Sequence, residues 1–327
     1  MDTEDLEAII ASFRSLHVDE DDEALRQRME QSIQEYNTKA RESNLRFVRE
    51  CVEAVAAAGL ETEQEKLNRM AHVFFAMKDW GTNIDFDAKP HLKPEQAGDY
   101  GWPPERLDQV LDLPQLSRDS LKPAFSRDFS AMLVQEMTKF VFGEHAEPSV
   151  VPRELVAFFS CVSGVYDLGY NRLGLCQFEA PVKEGVSQEE MHETLERNSI
   201  FPEDIEEDMP SGYGFEQLDL LGGFHFGWNT GVWRDEPVRQ WNSYYLFCRS
   251  KDDEDVTAMW GKDDEEVNTK WGWRVVVHLE SDHGEGIVAP LKIFDTIFDF
   301  LQWYGSWYDR LDRARFLKEL VEGIEFD

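Results

Sequence analysis

The sequence predicts an α+β protein: a helical N-terminal domain, residues 1–147, and a second domain, residues 148–327, in which helices cover a predominantly antiparallel sheet. Three observations carry that prediction. Helical spacing of apolar residues fills the first half. Runs rich in aromatic and β-branched residues, "NSYYLFCRS" and "WGWRVVVHLE", enter only after "GEHAEPSV". The 327 residues, with 22 Phe and 10 Trp, can supply a core in each of two domains.

In the first half, "DEALRQRMEQSIQEYNTKARESNLRFVRECVEAVAAAGL" runs without Pro or Gly to Gly59, which predicts one long helix stopped by a glycine. The Ala-rich "AVAAAG" breaks apolar heptads, so a long coiled coil is disfavoured. A second helix is expected over about Thr62 to Trp80, ending at Gly81. Between Thr82 and Pro123 several prolines surround a short "PPERLDQVL" helix, and "SRDFSAMLVQEMTKFVF" then restores an amphipathic period through Phe129, Leu133, Met137 and Phe140. The segment Glu144 to Ser149 reads as the domain boundary. No internal repeat stands out.

The second half opens on "VPRELVAFFSCVSGV". Pro152 suits the first helical position and Gly164 a left-handed C-terminal cap, while Leu155, Phe158, Phe159 and Val162 make one apolar face. In "WGWRVVVHLE", Trp273, Val275, Val277 and Leu279 alternate with Arg274, Val276 and His278. That pattern predicts a strand of a sheet buried mainly on one side, which suits antiparallel pairing. A closing helix follows, with Thr296 and Asp299 as its capping box and Ile297, Phe300, Leu301 and Tyr304 on its apolar face. Phe158, Phe159, Phe300 and Leu301 are expected to be buried against the same sheet.

The order of these motifs is similar to that of the SUKH superfamily, which contains the fungal SMI/KNR cell-wall regulators and many bacterial toxin-immunity proteins. The resemblance lies in the C-terminal half: Val151 and Pro152 before a short helix, Ser163 and Gly164 after it, the aromatic-Gly pair Phe226 and Gly227, and a closing "F-x-x-F-L"-type helix matched by Ile297, Phe300 and Leu301. Ser163 stands where Asn is common, and acidic insertions lengthen the middle. The resemblance implies a SUKH-like domain and protein–protein interaction, in cell-wall or growth signalling or as immunity against a toxin. The long helical extension favours the regulatory branch.

Charge narrows the partner. A formal net charge of −33 repels phosphate backbones and anionic membrane surfaces, so nucleic acid and membrane are excluded as expected partners. A protein partner with a basic surface is the expectation. The acidic stretches Asp252, Asp253, Glu254, Asp255 and Asp263, Asp264, Glu265, Glu266 are candidate partner-binding residues, against the alternative of solvated loops. A third acidic run, "FPEDIEEDMP", spans 201–210. Trp228 and Trp233 are further candidates, because a large indole can anchor a partner or stack a sugar; core packing is the competing role.

Chemistry has less to build on. Cys51, Cys161, Cys176 and Cys248 lack CxxC spacing, which suggests buried thiols, with neither a zinc site nor a disulfide framework. "HLESDHGEG" offers His278, Glu280, Asp282 and His283, but not the two histidines one helical turn apart that a zincin needs, so a strand end entering a polar turn competes with a metal-dependent hydrolase. His225 alternates with Phe224 and Phe226 and is expected on the opposite face. "LGG" lacks the Gly-Lys-Ser/Thr ending of a phosphate loop, and GxSxG is absent. No catalytic residue, cofactor or metal is therefore assigned. The acidic "MDTEDLEAII" and the lack of a long apolar run lead to the expectation of a cytoplasmic protein; oligomeric state stays open.

Overall fold

A computed structural model describes residues 3–12, 21–75, 104–113, 116, 120–143, 146–165, 178–202, 215, 218–233, 236–251, 270–280, 291–310 and 313–322. The architecture is α+β, with long helices packed on one face of a five-stranded antiparallel sheet.

After α1 (Thr3–Ser12), the helix α2 (Asp22–Ala57) begins where the Asp21 carboxylate accepts from the amides of Glu23 and Ala24, at 3.0 and 2.9 Å. It stops at Gly59, whose φ of 71° lies in the left-handed region that a Cβ disfavours. One face of α2 buries Leu25, Met29, Ile33, Tyr36, Ala40, Phe47, Cys51 and Val55. In α3 (Glu63–Phe75) the entry is a capping box: Glu65 donates its amide to Thr62 Oγ1 at 3.1 Å, and the Glu65 carboxylate accepts from the Thr62 amide at 3.0 Å. The short helix expected in the proline-rich stretch is a 3₁₀ helix, Leu107–Asp112. Ser126 caps α4 (Arg127–Phe142) through the Phe129 amide.

Next come α5 (Arg153–Cys161), α6 (Gln188–Asn198), α7 (Ile297–Gly305) and α8 (Arg313–Glu322). Three two-residue strands, β1 (Leu121–Lys122), β2 (Gly164–Val165) and β3 (Phe178–Glu179), form a small antiparallel sheet. The main sheet runs β4 (Ser199–Ile200), β5 (Leu218–Trp233), β6 (Glu236–Ser250), β7 (Gly272–Glu280), β8 (Leu291–Phe294), each antiparallel to its neighbour.

Helices α5 and α7 cover the same sheet face. Phe159 stacks on Phe226 of β5, with ring centroids 5.9 Å apart, and Phe300 packs edge-on against Phe294 of β8 at 5.7 Å. Phe178 bridges them, 5.5 Å from Phe158 and 5.1 Å from Phe300. All of Phe158, Phe159, Phe300 and Leu301 are fully buried. Thr296 caps α7 through the Asp299 amide at 3.0 Å, as its sequence predicts.

Three expectations are corrected. The chain does not divide its core at 147/148: buried residues of α2, α4, α5, α7 and the sheet belong to one continuous cluster. Tyr36 of α2 stacks on Tyr304 of α7 at 5.4 Å, Ser43 donates to the Gly305 carbonyl at 3.0 Å, and β1 pairs with β2 across the expected boundary. The long helix needs an apolar partner for its buried stripe, and α7 supplies it. Second, Gly164 is no left-handed cap; α5 ends at Cys161, and Gly164 lies in β2, where a Cβ would stand 2.5 Å from Glu179 Cβ. The glycine is required by strand approach instead. Third, the sheet is buried on both faces: Tyr244, Leu246, Cys248, Val276, Leu291 and Ile293 form a second cluster with Phe215 and Leu218 on the side away from the helices.

Candidate functional site

The polar residues that sequence alternation sends away from the helices gather on this second face. On β5, His225 lies opposite Tyr244 of β6, and on β7 His278 lies opposite Asn242. His225 stacks on the Tyr244 ring at 5.0 Å and 28°, and its Nε2 meets Asn242 Oδ1 at 3.2 Å. An amide oxygen accepts, so this contact is a hydrogen bond in the tautomer that carries its proton on Nε2. His278 meets the ring of Phe215 edge-on at 5.3 Å.

Burial governs both imidazoles. Desolvation penalises the charged form and lowers the His225 pKa, with the Asn242 bond opposing it; His278, 3% exposed, is pushed down to about 4 by burial. Burial favours the neutral form of both rings; His225 stacks and hydrogen-bonds within the sheet, and His278 packs against Phe215. A general base needs a pKa near the working pH and reach to a substrate proton, and the burial of His278 denies it that reach.

At the other end of the same face Arg274 forms a buried ion pair with Asp295, Nε to Oδ1 at 3.0 Å. The guanidinium also donates to the carbonyls of Cys248, Gly272 and Lys270, the last two at 3.2 and 2.9 Å. This arrangement ties the start of β7 to β6 and to the turn entering α7, and it satisfies a charge that would be very costly to bury alone. Sequence reading missed the pair. Arg274 occupies a polar-facing position by alternation, which marks solvent as readily as a buried partner.

The other candidates divide as follows. Asp252, Asp253, Glu254, Asp255, Asp263, Asp264, Glu265 and Glu266 lie outside the described residues, as do Asp282 and His283. Trp228 and Trp233 are placed on β5 by backbone register, opposite Asn242 and Glu236 respectively; their side chains are outside the described residues. Gln240 pairs with Glu280, the last described residue of β7, and β6 and β5 pair with each other as far as Glu236 and Trp233. At the sheet's other end Arg249 pairs with Asp219 at 2.8 Å and lies over the Trp271 ring at 5.3 Å. Among the described residues no group of three His, Cys, Asp or Glu is placed to hold a metal ion, and no helix is long and apolar enough to cross a membrane. Cys51 and Cys248 are buried free thiols, and burial pushes Cys248 up to about 11.

Comparison of the chain with family models, with curated proteins and with solved structures returned no match.

Proposed function

We propose that this chain is a non-enzymatic, regulatory protein-binding protein of the cytoplasm, with a SUKH-like C-terminal region, whose partner presents a basic surface. One observation carries the reading: 66 Asp and Glu stand against 33 Lys and Arg. Even if every cation of the chain neutralised one carboxylate, a formal −33 would remain for an external cation. Several of the described cations are paired within the chain, as Arg26 and Arg127 with Glu23 and Arg153 with Asp22 illustrate. Such a surplus accelerates encounter with an opposite charge and disfavours anionic partners. The neutral, packed state of His225 and His278 supports a binding role over catalysis.

The test is affinity capture with the whole chain at low and high salt, identification of the retained protein, and measurement of its association rate against ionic strength. A partner with a net positive contact surface and a rate that falls steeply with salt supports the proposal. A salt-indifferent rate overturns it. Stoichiometric metal in the purified protein that is lost with His283→Ala, or glycan binding abolished by Trp228→Ala or Trp233→Ala, would replace it with the hydrolase or the carbohydrate reading.

A further inference from the structure

We draw no further inference here: the strongest candidate, the side-chain cluster of His225, Asn242 and His278 on the sheet face away from α5 and α7, rests only on the lowered pKa of its two imidazoles, a property already described, and nothing among the described residues shows what ligand or partner it would meet.

Discussion

Replacing Gly305 by Val tests the crossing of α7 over α2, and its cost follows from the geometry. A Cβ at Gly305 would stand 3.2 Å from Lys39 Cβ, 3.3 Å from the Tyr36 carbonyl oxygen and 3.4 Å from Tyr36 Cδ2. Two of these atoms belong to, or sit directly on, the α2 backbone and cannot swing aside. The methyl of Ala is tight there; the two further methyls of Val have to displace α7. Displacement opens the Tyr36–Tyr304 stack and breaks the bond from Ser43 to the Gly305 carbonyl. Overpacking of this kind costs about 1–3 kcal/mol and a lost buried hydrogen bond about 1 kcal/mol, so Gly305→Val should destabilise by about 2–4 kcal/mol. Gly305→Ala should stay within about 1 kcal/mol of the parent, because gained helix propensity offsets the tight contact. Urea unfolding followed in parallel by far-ultraviolet circular dichroism and tryptophan fluorescence is the assay. One transition, shifted equally in both signals, is expected because helices and sheet share a core. An unshifted midpoint, or helical signal lost while the sheet's tryptophans stay native, would refute the crossing.

Phe159→Ala should cost about 3–5 kcal/mol in the same urea assay, since its fully buried ring contacts Phe125, Phe158 and Phe226. Arg274→Met should cost about 3–5 kcal/mol by stranding the buried Asp295 carboxylate, and adding Asp295→Leu should recover most of it; equal losses in the single and double variants would contradict the pairing. His278 gives stability a pH dependence of definite sign: its pKa falls from 6.5 to about 4 on folding, so between those values the unfolded chain binds the proton the native one refuses. Its contribution is complete above pH 6.5 and declines by about 3 kcal/mol as pH drops to 4, and His278→Gln should flatten the melting-temperature slope in that window. Neutralising Asp252 to Asp255 and Asp263 to Glu266 to Asn and Gln should leave the melting temperature almost unchanged while reducing the salt dependence of partner association, read by stopped flow.

Local rules made two helix ends legible. Thr296 caps the helix that follows it, and Gly59 ends α2, because each effect depends on a few neighbouring residues. The face alternation of β7 was legible too, with Val275 and Val277 toward the helices and Val276 away. Long-range partnerships were not. Nothing in the spacing of "ESNLRFV" along α2 distinguishes a stripe that meets its own domain from one that meets α7, so a shared core read as two domains. The Gly164 position looked like a helix stop because the strand that crowds it, at Glu179, is distant in sequence. Within the candidate site, His225 was placed on its correct face by alternation, whereas the Asn242 bond and the Arg274–Asp295 pair depend on register and on a turn far along the chain. The acidic stretches carried the charge argument without any need for their placement.

The join between Ser43 and Gly305 spans 262 residues of chain, and that separation sets a clock on synthesis. At about 5–20 residues per second, α2 has been made for roughly 10–50 s before α7 exists to cover Tyr36. Helix α5 can shelter part of its stripe earlier, but the side meant for α7 stays wet while the whole main sheet is being polymerised. An apolar helix side left waiting that long is a surface on which nascent chains on one messenger can find each other. Its exposed Glu and Arg residues, and the like charge of its neighbours, hold them apart until the closing helix arrives.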